Sequence, residues 1–154
     1  EVYAKDQMFQ KAEDQFVAAQ EAEFEVRGKT GRLALLKAAV GAIYDYRSNM
    51  DQTGQQQQLS LEAARHCRDA LRIWRELTGA EQLKKCKSSE AQDRLAQMSE
   101  TLVLMGRGLC NFALDGDGPA LSAHEAFEEA EVLLQEALQI RNALSPGKKH
   151  SPAL

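Results

Sequence analysis

Apolar residues recur at intervals of three and four along most of the chain, and no stretch alternates apolar and polar residues long enough for a β-strand. Intervals of three and four place apolar side chains on one face of an α-helix, whereas a strand needs an interval of two. The first of only three prolines is Pro119, so no proline interrupts a helix before that position. The sequence therefore predicts an all-α protein.

Five apolar stripes predict five helices. Their members are Phe9, Ala12, Phe16 and Ala19; Leu33, Leu36, Val40, Ile43 and Tyr44; Ala63, Cys67, Ala70, Leu71 and Trp74; Leu102, Met105, Leu109 and Phe112; and Phe127, Ala130, Leu134, Ala137, Leu138 and Leu144. Polar or Gly-rich segments separate the helices at residues 28–31, 49–58, 84–89 and 115–119. Gly79 and Pro146 mark the ends of the third and fifth helices.

Length and charge limit the classes of protein to consider. The 154 residues correspond to one domain, and 19 basic against 23 acidic residues give a net charge of −4. A nucleic-acid-binding protein needs an excess of positive charge, so that class is disfavoured. The longest apolar run, residues 33–44, is interrupted by Lys37 and is far shorter than the roughly 20 residues that span a bilayer. Because the chain starts at Glu1 rather than Met, we expect a fragment of a longer protein.

The three cysteines are Cys67, Cys86 and Cys110. A small secreted scaffold would carry more cysteines, and in even number. We therefore expect reduced thiols and an intracellular, cytoplasmic location.

Three of the predicted helices share a pattern of small residues. The pairs Ala12/Ala19, Ala63/Ala70 and Ala130/Ala137 are each seven residues apart. Seven residues make two helical turns, so the members of a pair lie on one face and allow a neighbouring helix to approach closely. Two copies also continue almost identically, as Ala70-Leu71-Arg72-Ile73 and Ala137-Leu138-Gln139-Ile140.

With these residues the chain resembles the tetratricopeptide repeat (TPR) family, in which helix A carries Leu-Gly and Tyr and helix B carries Ala…Ala-Leu. Val40-Gly41 with Tyr44, and Met105-Gly106 with Leu109, are similar to helix A of two successive units. Tyr3 corresponds to a truncated first helix A. The C-terminal stretch, with Pro146 and His150-Ser151-Pro152, resembles the longer repeats of kinesin light chain.

The resemblance implies antiparallel helix pairs stacked as a short α-solenoid. It predicts a single domain over residues 1–154, with about three repeats, of which the first and last are incomplete. The alanine pairs lie 51 and 67 residues apart, against about 34 for a plain unit. The surplus falls in connecting segments, where insertions cost little entropy.

No motif for catalysis or for a cofactor is found. Residues 115–118 (Asp-Gly-Asp-Gly) suggest a calcium loop, but Ala120 and Ala126 stand where such a loop needs Gly and Glu. The three histidines and three cysteines lack the spacing of a zinc site. Cys86 lies between two lysines, which would favour its thiolate, but water and salt screen such cations in a loop. We therefore expect no enzyme activity, no metal and no cofactor.

Charge is distributed unevenly. Residues 115–136 carry seven acids and no Lys or Arg, whereas residues 61–87 carry seven bases and four acids. Four arginines fall on one face of the third helix: Arg65, Arg68, Arg72 and Arg75. The plain interpretation is ordinary solvated helix faces, with neighbouring helices attracting one another. The alternative is a surface that orients a partner, by meeting an acidic protein segment or, with weaker support, by lying on an anionic membrane.

The TPR resemblance implies that the A helices line a concave groove. The groove residues it predicts are Ala38, Ala42, Asp45 and Tyr46 on one A helix, and Val103, Arg107, Cys110 and Asn111 on the next. Tyr and Arg often supply binding energy. Ala39 and Ala42 stand where relatives that bind a C-terminal carboxylate carry polar residues, so we expect no such binding. The function expected is a non-enzymatic adaptor that binds a peptide or helix of another protein. The alternative is a structural solenoid segment that self-assembles.

Overall fold

The computed structural model describes residues 2–51, 54–78, 89–114 and 123–144. They form five α-helices: α1 Val2–Arg27, α2 Gly31–Met50, α3 Gln56–Thr78, α4 Ser89–Leu114 and α5 Ala123–Leu144. No strand occurs among these residues, and the all-α prediction is confirmed. The predicted turn at residues 115–119, the end of the fifth helix at Pro146, and Cys86 lie outside the described residues.

The helices pack as antiparallel pairs in a short α-solenoid. The pairs α2–α3 and α4–α5 pack most extensively, α3 packs on α4, and α1 packs on α2. The first turn of α2 meets the last turns of α3, since a Cβ on Gly31 would lie 3.2 Å from the Trp74 ring. At the other end, the hydroxyls of Ser48 and Ser60 are 2.6 Å apart. The α-solenoid that the resemblance implied is therefore present.

Thr30 defines the start of α2. Its backbone is extended and its hydroxyl oxygen accepts a hydrogen bond from the Leu33 amide at 3.1 Å. The same hydroxyl donates to the buried Glu23 carboxylate of α1 at 2.9 Å. One side chain thus caps α2 and joins it to α1.

Small residues let the helices come close together, as the alanine pattern predicted for two of its three copies. Ala63, Ala70, Ala130 and Ala137 are all buried. In α1, by contrast, Ala12 is half-buried and Ala19 is exposed. The difference arises because α1 packs on α2 less extensively than α5 packs on α4 or α3 on its neighbours.

In α5 the buried face differs from the predicted stripe. Three members of the stripe are exposed: Phe127, Leu134 and Leu138. The buried residues are Ala126, Ala130, Leu133, Ala137 and Ile140. The predicted stripe and the buried face share Ala130 and Ala137. They differ because α5 turns Leu133 and Ile140 into the core, whereas Leu134 lies against Gly106 of α4 and stays partly exposed.

Two predicted boundaries also need correction. The loop predicted at residues 49–58 is shorter, since α2 continues to Met50 and α3 begins at Gln56. Glutamine is a good helix former, and the Asp51 carboxylate accepts from the Gln55 amide at 2.7 Å, which closes the connection early. Tyr3 lies within α1 itself rather than on a separate first helix A.

Candidate functional site

The predicted groove residues lie on α2 and α4, and one ion pair connects them. The successive members of each set, Ala38, Ala42, Asp45 and Tyr46 on α2 and Val103, Arg107, Cys110 and Asn111 on α4, are four, three and one residues apart, so each set lies on one side of its helix. Arg107 Nη2 donates to Asp45 Oδ2 at 2.6 Å. We call the eight residues together the α2–α4 face.

The members of the α2–α4 face differ in exposure. Ala42, Tyr46 and Arg107 are exposed, with Tyr46 at 55%. Four residues are half-buried: Ala38, Val103, Cys110 and Asn111. Asp45 is buried, with only 5% of its side chain exposed. The prediction that Asp45 lines a groove therefore needs correction, because its carboxylate lies beneath Arg107 and holds that guanidinium in place.

Asp45 lies near the close contact between α2 and α3, since its carboxylate acts on the Cys67 thiol of α3. A Cβ on Gly41 would lie 2.6 Å from Cys67 Sγ, so only glycine fits there. Burial, and to a smaller extent the Asp45 carboxylate, raise the pKa of the Cys67 thiol to about 12. Among the described residues, Asp45 Oδ1 has no hydrogen-bond partner. The Arg107 ion pair is therefore the interaction that compensates burial of this carboxylate.

An aromatic cluster supports Tyr46 from the α1 side. The rings of Phe9 and Tyr46 have centroids 5.8 Å apart and are tilted, and the Arg47 guanidinium lies 5.6 Å from the centre of the Phe9 ring. Tyr44 donates to Glu13 of α1 at 2.8 Å and stacks on His66 of α3. Burial and the hydrogen bond to Glu13 raise the pKa of Tyr44 to about 12. These contacts fix the part of α2 that presents Tyr46.

The four arginines predicted as a basic face are each engaged in an ion pair. Arg68 and Arg75 pair with α5, with Glu129 at 2.7 Å and Glu136 at 3.0 Å respectively. Arg65 and Arg72 pair within α3, with Glu62 and Asp69. Arg68 and Arg75 thus attract a neighbouring helix, whereas the ion pairs of Arg65 and Arg72 lie within α3.

Sequence reasoning missed a groove between α1 and α3, with α2 beneath it. Its volume is about 420 Å³. The residues around it are Gln20, Glu21 and Phe24 of α1; Lys29; Leu33 and Lys37 of α2; and Asp69, Arg72, Ile73 and Glu76 of α3. We call this the α1–α3 groove. The sequence does carry one indication of this groove, because Lys37 places a charged residue within the longest apolar run.

No metal site is found in the part of the chain that the structure describes, because no three His, Cys, Asp or Glu residues come together there. Cys67 and Cys110 are free thiols. Nor does any helix within the described ranges combine the length and apolar character needed to cross a membrane.

Comparison with known proteins gave no match to a family model, to a curated protein or to a solved structure. The TPR resemblance therefore remains a prediction from the sequence.

Proposed function

We propose that the chain is a non-enzymatic protein–protein interaction module that binds a peptide or helix of a partner at the α2–α4 face. The observation that carries this proposal is an exposed tyrosine and an exposed arginine, Tyr46 and Arg107, on packed helices beside the small Ala42. Tyr and Arg dominate binding energy at many protein interfaces, and a small neighbour leaves room for a partner side chain.

Preorganisation of these two side chains supports the proposal. Arg107 is held by the buried Asp45, and Tyr46 is braced by Phe9. A side chain that is already ordered loses less conformational entropy when a partner binds. Arg107 keeps further N–H donors beyond the one used by Asp45, since a guanidinium has five. Those donors suit a carbonyl or carboxylate oxygen of the partner.

A random peptide library selected on the immobilised chain tests the proposal. We expect selected peptides to bind Tyr46→Ala at least about tenfold more weakly than the wild type, measured by calorimetry. Phe127→Ala is the matched control, because Phe127 is also an exposed aromatic residue but lies on α5. Arg107→Lys keeps the charge opposite Asp45 while removing the planar guanidinium, and should also weaken binding.

Two results would contradict the proposal. One is a selection that yields no peptide above background. The other is a set of peptides that bind Tyr46→Ala and Phe127→Ala as tightly as the wild type.

A second candidate function is self-assembly as part of a solenoid. Exposed apolar side chains on the first and last described helices support it, namely Met8 and Val26 on α1 and Val132 and Leu138 on α5. Apolar surface at both ends of a helix stack favours head-to-tail contacts between copies. Sedimentation velocity over a hundredfold range of concentration distinguishes the two functions. Assembly predicts a mass that rises with concentration and is lowered by Leu138→Glu, whereas a constant monomer mass counts against it.

A further inference from the structure

The α1–α3 groove combines an apolar floor with a charged rim. Leu33 and Ile73 form part of the floor and are buried, at 3% and 5% exposed, while Phe24 of α1 borders the groove and is exposed at 55%. A volume of about 420 Å³ falls within the range of about 300–1,000 Å³ typical of small-molecule sites. The exposed Phe24 ring, beside a floor of apolar side chains, favours an apolar guest.

The charges around the groove are mostly paired with one another. Lys29 Nζ lies 3.0 Å from Glu76 Oε1, and Arg72 Nη1 lies 3.4 Å from Asp69 Oδ1. Lys37 differs, because no carboxylate among the described residues lies within 4.0 Å of its ammonium. Lys37 is therefore the cation of this groove that has charge to offer a ligand.

Lys37 also lies deeper in the groove than Glu21, the carboxylate that is not part of the two ion pairs above. Lys37 is half-buried on α2, beneath the two walls. Glu21 lies on the α1 wall and is exposed, so water and salt screen its charge more strongly. The groove is lined by three cations and three carboxylates, and Lys37 is the only one of the three cations that is half-buried rather than exposed.

We propose that the α1–α3 groove binds a small amphipathic carboxylic acid, with its apolar body against Phe24, Leu33 and Ile73 and its carboxylate on the Lys37 ammonium. This site is separate from the α2–α4 face and does not rest on the function proposed for that face.

Decanoate and decylamine are the probes, because they share an apolar chain and differ in the sign of the head group. Each is titrated into the ¹⁵N-labelled full chain below the concentration at which it forms micelles, and amide shifts are followed. We expect decanoate to bind at least about tenfold more tightly than decylamine, with shifts centred on the amides of Leu33, Lys37 and Ile73. The negative net charge works against this preference, so non-specific attraction cannot produce it.

Lys37→Met removes the charge and keeps an unbranched side chain. We expect it to weaken decanoate binding about tenfold and to leave decylamine binding unchanged or improved. Lys29→Met is the matched control, because Lys29 belongs to the same groove but is paired with Glu76. Phe24→Ala should weaken both probes. Equal affinity for the two probes, shifts centred elsewhere, or unchanged decanoate binding in Lys37→Met would overturn the proposal.

Discussion

Individual side chains at helix boundaries and contact points determine how this chain packs. Thr30 both caps α2 and donates to Glu23, a carboxylate that also pairs with Arg27 at 3.1 Å. Cys67 occupies the space that the missing side chain of Gly41 leaves open. Each contact involves one or two atoms, so single substitutions can test them.

Replacing Thr30 by Ala should lower the free energy of unfolding by about 1 kcal/mol, because the Leu33 amide loses its acceptor. Loss of the hydrogen bond to the buried Glu23 adds to this cost. Urea denaturation followed by circular dichroism measures the change. Thr30→Ser keeps the hydroxyl and should retain most of the stability; equal losses in the two variants would refute the capping role.

Stability should fall at high pH because of Cys67. Its folded-state pKa of about 12 lies above the ordinary value of 9.0, so the protonated thiol is favoured in the folded chain. The contribution of the protonated Cys67 thiol to stability is complete below pH 9. It is lost as pH rises from about 9 to 12, because the thiol ionises in the unfolded chain before it does so in the folded chain. Tyr44 acts in the same direction between about pH 10 and 12.

Melting temperatures measured from pH 8 to 11 test this dependence. Cys67→Ala removes the thiol, and its melting temperature should fall less steeply above pH 9 than that of the wild type. Equal slopes for the two proteins would show that the buried thiol makes no contribution. Comparing slopes rather than absolute values separates ionisation from the cavity that the substitution leaves.

At the scale of elements, the separation between helices depends on small residues at their contacts. Gly41 of α2 lies against Cys67 and the carbonyl of Ala63, and Gly108 of α4 lies against the carbonyl of Ser60. The two glycines differ in the space around them. A Cβ on Gly41 would be 2.6 Å from Cys67 Sγ, whereas a Cβ on Gly108 would be 3.4 Å from the Ser60 oxygen, an ordinary contact.

We therefore expect Gly41→Ala to destabilise the protein by about 1–3 kcal/mol through overpacking between α2 and α3. Gly108→Ala is the matched control and should be neutral or slightly stabilising, since alanine is the better helix former. Both values come from urea denaturation. Adding Cys67→Ala to Gly41→Ala should recover part of the loss, and failure to do so would place the clash elsewhere.

At the scale of the whole molecule, ion pairs join helices that are far apart in sequence. Arg107 and Asp45 connect α4 to α2 across 62 residues, and Arg68 and Arg75 each reach α5 across 61 residues. The nearly constant separation indicates that the α4–α5 pair lies beside the α2–α3 pair in the same orientation. Of these ion pairs, only that of Asp45 includes a buried carboxylate.

A double-mutant cycle on Asp45 and Arg107 tests how strongly the two helix pairs are coupled. Arg107→Met leaves the buried carboxylate unpaired and should cost about 1–3 kcal/mol of unfolding free energy, less than for a fully buried pair because Arg107 is half-exposed. Combining it with Asp45→Asn should recover much of that loss, because an amide is cheaper to bury than a charge. Additive effects of the two substitutions, measured by denaturation, would mean that the ion pair contributes no coupling. Arg68→Met, which removes a more exposed pair, should cost less than about 1 kcal/mol.

Helical periodicity is a local property, so the number and type of the helices and much of their buried faces could be predicted from the amino-acid pattern. In α3 and α4 the buried stripes could be read directly, since each has only one strongly apolar face. The boundary near Gly28 was equally visible. In α5 two faces are apolar, and only packing against α4 chose the one with Ala126 and Leu133.

Tertiary structure alone decided the pairing of charges and the shape of the candidate sites. The separation of neighbouring helices decides whether Arg107 covers Asp45. It also decides whether α1 and α3 leave a groove above Lys37. That separation is set by single atoms, such as Cys67 Sγ opposite the absent Cβ of Gly41. Contacts between residues about 60 positions apart leave no periodic trace in a sequence, so no reading of local pattern could have found them.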